Sequence, residues 1–430
     1  MADFDTKRIR AGYDPAQHNY AVNVPIYQTA SFDIGDVDRA ERLWTFQETG
    51  ALYTRVGNPT VAALEERLRI LEDGTGAIAL ASGMAAISYT FLFLAQGGGN
   101  IVVSPALYGG AEDALSHFLP HYGIHAKFVE DRFSPESYEK AIDENTKGIF
   151  LETISNPNAE LYDIEAIAEV AHRHDIPLIV DNTVATPYLF HPFNHGVDII
   201  VYSATKGISG HGSVIAGAVI ENHTFHYSEE KFPQFYEKSY KLKTAELVPR
   251  SPIEVNPDAP LTTAIRGFLL EFIGAALSPF DAYLVLLGLS TISERLTKQV
   301  ENTKKIVKFL EGRKEVAWVK HPSASGSPYH ELAETYFPKG AGALLSFGFK
   351  GNREQLNRFI KGLSYFSYQA NLGDVRSLII NSPKTTHAEL DEHHLVRAGV
   401  SDDTVRISVG LEAAEDLIQD LEQALEAAFA

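Results

Sequence analysis

Ile176-Pro177-Leu178-Ile179-Val180-Asp181-Asn182-Thr183 and Val197-Asp198-Ile199-Ile200-Val201-Tyr202-Ser203-Ala204-Thr205-Lys206-Gly207 carry the pattern that decides the fold. Each is a short apolar run, interrupted in the second only by Asp198, that stops at polar residues. Continuous rather than alternating apolar residues are the signature of a strand covered on both faces. Similar runs stand at Ala77–Leu80, Asn100–Val103 and Gly148–Leu151, separated by helical patterns such as Ile164–His174. The alternation predicts an α/β fold, a mostly parallel sheet between two helical layers. Ligands in such sheets sit beyond the carboxyl ends of the strands, and that is where the polar residues fall.

Outward from this centre the rhythm changes. Residues 1–60 are turn-rich and polar, which predicts an extended N-terminal arm; a helix is expected from Thr60 to Leu71, with Leu64, Leu68 and Leu71 on one face. Residues 61–287 are expected to form the large domain. Within it, residues 221–262 are aromatic, charged and punctuated by Phe232-Pro233, Pro249, Pro252, Pro257 and Pro260, as in an insertion over the surface or the mouth of a site. A long helix is expected from Phe280 to about Leu310. Residues 288–430 predict a smaller α+β domain, with strands at Gly342–Phe349 and Thr404–Val409 and a closing helix over Glu412–Phe429.

Composition narrows the partners. The net charge of −19 argues against nucleic acid or an anionic membrane surface. With no cysteine, disulfides, thiolate nucleophiles and thiolate metal ligands are excluded. The start, Met1-Ala2-Asp3-Phe4-Asp5, is acidic, and the greasiest stretches, such as Tyr89–Ala95, are far shorter than the roughly 20 residues of a membrane helix. A soluble, cytoplasmic enzyme is expected.

Three strand ends carry groups that fit together. One offers Asp181, the next offers Lys206, and Ala77–Leu80 ends at Ser82-Gly83-Met84, opening an apolar helix. A lysine in an apolar setting can form an imine. A carboxylate can hold a pyridine nitrogen protonated. A helix start, helped by the hydroxyls of Ser203 and Thr205, can bind a phosphate dianion. These are the requirements of pyridoxal 5′-phosphate (PLP). Singly, each group has an ordinary explanation: a surface lysine, a turn aspartate, a serine cap. Their order at one sheet edge is what speaks for the cofactor. Gly74-Thr75-Gly76-Ala77-Ile78-Ala79 has a dinucleotide-like pattern that would suggest an oxidoreductase, but that motif needs a preceding strand and here a helix precedes. His172 with His174, and His393 with His394, lack accompanying carboxylates at metal spacing, so no metal is expected.

The chain resembles the Cys/Met-metabolism family of fold-type I PLP enzymes, and within it the O-acetylhomoserine sulfhydrylases. The resemblance covers nearly the whole length. It is carried by Tyr53-Thr54-Arg55-Val56-Gly57-Asn58-Pro59-Thr60, Ala81-Ser82-Gly83-Met84-Ala85-Ala86, Glu152-Thr153-Ile154-Ser155-Asn156-Pro157 and Val180-Asp181-Asn182-Thr183. Further matches are Ser203-Ala204-Thr205-Lys206, Ser209-Gly210-His211-Gly212, Leu277-Ser278-Pro279-Phe280, Asn371-Leu372-Gly373-Asp374 and Thr385-Thr386-His387.

The resemblance implies a role for each matching residue. Lys206 would carry PLP as a Schiff base and shuttle protons, and Asp181, followed by Thr183, would pair with the pyridinium. Tyr108 would stack on the ring, with Asn156 near its phenolic oxygen. Ser82, Gly83, Met84, Ser203 and Thr205 would surround the phosphate, while Tyr53 and Arg55 would reach a neighbouring subunit's phosphate within a homotetramer of catalytic dimers. Arg406, with Asn371 and Tyr53 nearby, would bind the substrate carboxylate. The implied activity is γ-replacement on O-acetyl-L-homoserine by sulfide or a small thiol; a γ-lyase or a cystathionine γ-synthase using the succinyl ester is the family alternative. Methionine γ-lyases usually carry a cysteine where this chain has Gly110, which favours replacement. Two departures, Asn381-Ser382 for the usual His-Pro and Arg376 for a frequent lysine, are expected to adjoin the substrate end.

Overall fold

A computed structural model describes residues 2–45, 47–48, 50–388 and 391–430. Seven strands form the larger sheet: β1 (Gly76–Leu80), β2 (Asn100–Val103), β3 (His125–Phe128), β4 (Thr146–Glu152), β5 (Leu178–Asp181), β6 (Ile199–Tyr202) and β7 (Gly217–Glu221). Their order is β1-β7-β6-β5-β4-β2-β3. Every pairing is parallel except the two that β7 makes, so β1 still runs in the direction of β6. The carboxyl ends of all strands but β7 therefore share one edge.

Successive strand residues point to opposite faces, and here both faces are apolar. Ile179 and Ile199 pack with Ile87 and Phe91 of the helix Gly83–Leu94, whereas Val180 and Ile200 pack with Leu64, Leu68 and Ile167 on the other side. This double burial is why the strands lack alternation, and it makes the three-layer α/β/α arrangement expected from the sequence.

The second, smaller sheet has the order β10-β11-β12-β9-β8, with β8 (Val316–Lys320), β9 (Leu344–Phe349), β10 (Ser367–Tyr368), β11 (Leu378–Asn381) and β12 (Thr404–Ser408). The closing helix Ala414–Phe429 covers one face, through Leu417, Leu421 and Leu425 against Phe347, Val405 and Ile407. The arm holds two short helices, Phe4–Arg10 and Val37–Trp44, each capped by an aspartate side chain, Asp3 and Asp36.

Three features differ from the expectation. β3 and β7 escape the search for apolar runs, the first because an edge strand reading His-Ala-Lys-Phe has none. The helix expected over Phe280–Leu310 is two, Pro279–Leu289 and Ile292–Glu311, since Ser290 Oγ and Thr291 Oγ fold back onto Leu286 and Gly288 carbonyls at the junction. The segment 221–262 joins the helical layer: Phe232 and Phe235 are fully buried, and the Phe235 ring lies 5.0 Å from that of Phe93. Among the described residues no helix is long and apolar enough to cross a membrane.

Candidate active site

A cavity of about 420 Å³ opens at the carboxyl edge of the larger sheet, and the smaller sheet closes its far side through Arg406 and the strand-flanking Asn371. The ends of β1, β4, β5 and β6 each contribute to it. So do Tyr108, which follows β2, and Thr385 and Thr386, which follow β11.

Lys206 lies four residues beyond β6, and its Nζ donates to Asn371 Oδ1 at 2.6 Å. Burial, assisted by the nearby Arg406 charge, lowers its ammonium to about 8. Such an amine is available as a nucleophile close to neutral pH. Arg406, on β12, is 2 % exposed. Its Nη1 donates to Asn156 Oδ1 at 2.7 Å and its Nη2 to the Asn371 carbonyl at 2.8 Å. Its Nε has no hydrogen-bond partner among the described residues, so the guanidinium keeps donors free for an anion.

Asp181 ends β5, one strand over from Lys206. Burial pushes its carboxyl up to about 6 against the opposing pull of Thr183, whose backbone amide donates to Asp181 Oδ1 at 2.9 Å. Thr183 Oγ1 in turn accepts from the Ser203 amide at 2.8 Å, tying the ends of β5 and β6 together. Burial has raised this carboxyl's pKa for want of a cation beside it, and a cationic ring nitrogen would stabilise its ionised form. Glu152, in register with Asp181 on β4, also lines the cavity and was given no role from sequence. Its Oε1 accepts from the Tyr108 amide at 2.6 Å and its Oε2 from the Asn156 amide at 2.7 Å. The signal that would have found it is its position at the same sheet edge.

The anion end is built by close backbone approach. Ser82 caps the helix Gly83–Leu94, its Oγ accepting from the Ala85 amide at 3.1 Å, and the first amides of a helix have no partner within it. A Cβ at Gly83 would stand 2.7 Å from Ser203 Cβ, so only glycine brings this helix start against the loop leading to Lys206. Thr205 lines the same space, although its hydroxyl is already engaged with the Ala216 backbone. Gly110 packs beneath the Tyr108 ring, where a Cβ would come within 2.7 Å of it.

Twelve of the fourteen site residues named from sequence meet in this cavity, Met84 among them; Tyr53 and Arg55 do not. These two line a second, more open cavity of about 450 Å³ with Gly274 and Ser278, and the Arg55 guanidinium sits 5.2 Å from the Tyr53 ring centre. The two departures from the family pattern also lie outside the main cavity. Asn381 donates to the Asp402 and Thr404 carbonyls, and Arg376 pairs with Asp374 at 2.9 Å. Among the described residues no group of three or more potential ligands could hold a metal ion; the side chain of His393 lies outside them.

Imine formation asks for the amine, a pyridinium for the carboxyl and a phosphate for the open amides, and on this sheet the combination defines the PLP-dependent enzymes of fold type I. Comparison with known proteins narrows the class. Residues 5–426 match the model of the Cys/Met metabolism PLP-dependent enzymes, and the chain belongs to that family. It is 40% identical over 430 residues to the sulfhydrylase FUB7 of Fusarium oxysporum, covering 99% of this chain and 98% of that one. It is 40% identical over 428 residues to an O-acetyl-L-homoserine sulfhydrylase of Corynebacterium glutamicum, covering 97% and 96%. A crystal structure of an O-acetylhomoserine (thiol)-lyase described as putative, from Campylobacter jejuni, superposes with a TM-score of 0.91 at 36% identity, over 99% of this chain and all of that one; it contains N′-pyridoxyl-lysine-5′-monophosphate.

Proposed function

We propose that the protein replaces the acetate of O-acetyl-L-homoserine by sulfide or a small thiol, releasing acetate with homocysteine or methionine. The observation that carries this reading is the charge inventory of the cavity. Its acidic and basic lining residues are Glu152, Asp181, Lys206 and Arg406. Lys206 and Asp181 are assigned to the cofactor, Arg406 to the substrate carboxylate, and both Glu152 oxygens to backbone amides. The remaining wall, including Gly110, Ile215, Leu372, Thr385 and Thr386, is uncharged. Burying an anion there without a partner is costly, so a neutral acetyl ester suits the wall better than a succinyl or phospho ester.

In this reading Lys206 holds the cofactor, Asp181 its ring nitrogen, and Ser203, Thr205 and the amides after Ser82 its phosphate. Tyr108 covers the ring, and Asn156 sits at its phenolic oxygen. When bound, PLP supplies an electron sink for charge developing at the substrate Cα. The Arg406 fork grips the substrate carboxylate and so fixes which Cα bond faces Lys206. Lys206, once freed by the substrate amine, takes the Cα proton and later returns it. A Cβ proton is then removed, and the Cβ–H electron pair expels the Cγ–O pair onto acetate. Sulfide supplies the pair for the new Cγ–S bond, and a proton is restored at Cβ. Tyr53 and Arg55 are assigned to the cavity of a neighbouring subunit, in a catalytic unit of at least two chains; their position outside the cavity of their own chain supports that assignment.

The test is a steady-state panel pairing O-acetyl-, O-succinyl- and O-phospho-homoserine with sulfide, methanethiol and cysteine. The acetyl ester with sulfide or methanethiol should give the highest kcat/KM. A preference for either charged ester, or elimination in place of replacement, would overturn the proposal.

A further inference from the structure

Arg406 poses a physical problem that the proposed chemistry does not resolve. The guanidinium is buried, and among the described residues no carboxylate lies within ion-pair distance of it. A bare buried cation is expensive. A carboxylate in direct contact would relieve that cost, but it would also occupy the fork the substrate needs.

Resting on the assignment of Arg406 to the substrate carboxylate, we infer that Glu152 is the positioning residue and standing counter-charge for this arginine, acting one residue removed through Asn156. The geometry is a relay. Glu152 Oε2 accepts from the Asn156 amide at 2.7 Å, and Asn156 Oδ1 accepts from Arg406 Nη1 at 2.7 Å. All three residues are at most 5 % exposed, so water does not replace these bonds. The other Glu152 oxygen anchors the Tyr108 amide at 2.6 Å, which leaves the carboxylate no freedom to swing onto the guanidinium. Charge acts over the remaining gap in both directions. Glu152 favours the cationic form of Arg406 against burial. Burial and the neighbouring Asp181 push the Glu152 carboxyl well above the usual carboxylate range, opposed by the Tyr108 and Asn156 amides and by the Arg406 charge. Placed this way, it holds the fork oriented and charged while leaving the donors open.

A merely structural carboxylate would affect all ligands alike; a counter-charge for Arg406 affects those bearing a carboxylate. Holoenzyme variants are titrated with L-2-aminobutyrate, which has the α-carboxylate but no leaving group, and with propylamine, the same skeleton without the carboxylate. Binding is read from the cofactor's visible band, with cofactor content and Tm measured alongside. Glu152→Gln should raise the Kd of L-2-aminobutyrate by roughly tenfold or more, the scale of a charged hydrogen bond, and that of propylamine by less than about twofold. Equal weakening of both ligands, or of neither, overturns the inference. Should the glutamine variant not hold the cofactor, Glu152→Asp retains the charge with shorter reach; it should show a smaller loss confined to the carboxylate ligand, and a loss shared by both overturns the inference. Arg406→Lys separates the two proposals. If it fails to discriminate between the ligands, the assignment of Arg406 itself is wrong; if it discriminates while the Glu152 variants do not, only the role of Glu152 falls.

Discussion

An amine buried near a second cation gives up its proton more readily than one in water, and Lys206 meets both conditions. In cofactor-free protein its ammonium titrates at about 8. Only the neutral form attacks an aldehyde, so the rate of PLP capture by the apoprotein should rise roughly tenfold per pH unit below that value and level off above it. Stopped-flow reconstitution across pH 6–10, corrected for the titration of free PLP, measures this; a rate flat down to pH 6 would refute the shifted amine. Lys206→Ala should abolish turnover and leave the circular dichroism spectrum unchanged. At this scale much was legible in the sequence, because Asp181 and Lys206 each follow an apolar run and the sheet rule places run ends together. Glu152 obeys the same rule and was overlooked. Thr386 was not legible in role: it reaches the site through a tertiary contact, its carbonyl lying where a Cβ on Gly109 would stand.

At the scale of elements, the loop after Lys206 needs support that no strand provides. Arg295, on the helix Ile292–Glu311, supplies it from a buried position. Its Nη1 donates to the Gly207 carbonyl at 2.9 Å, and its Nη2 donates to those of Ile208 at 3.1 Å and Gly288 at 2.8 Å. One guanidinium thus caps the end of the helix Pro279–Leu289 and fixes the turn carrying Lys206. Arg295→Met keeps the bulk but orphans the Gly207 and Ile208 carbonyls, each worth about 1–3 kcal/mol if left unpaired, whereas the Gly288 carbonyl keeps the Thr291 amide at 3.2 Å. A fall in unfolding stability of about 2 kcal/mol or more is expected, together with weaker PLP retention on dialysis. Unchanged denaturant midpoints and cofactor content would show that the turn stands without it. Nothing in the sequence announces this arginine, which sits in a polar helical pattern indistinguishable from a solvated face. Strand positions, by contrast, were legible because double burial leaves an unbroken apolar run, and the missed β3 lacks one.

At the scale of the whole molecule, a single chain encloses the amine, the carboxyl and the helix start, yet it leaves Tyr53, 46 % exposed, and Arg55 beside a separate opening. The sequence could point to these two only by resemblance, since periodicity and burial describe one chain and are silent about a second. If Arg55 serves the neighbouring subunit, two defects on different chains should complement each other. Arg55→Ala and Lys206→Ala homodimers are each expected to be nearly inactive, the first for want of a phosphate ligand and the second for want of the amine. In a hybrid of two-fold symmetric arrangement, the chain with intact Lys206 receives the intact Arg55 of the other, so one site in two is whole. Isolated hybrids should therefore recover about half of the wild-type activity, and an unfractionated random mixture, half of it hybrid, about a quarter. Co-refolding or co-expression of differently tagged chains, with hybrids isolated by tandem affinity, measures this directly. Hybrids with no more activity than either parent would mean that Arg55 serves the cavity of its own chain.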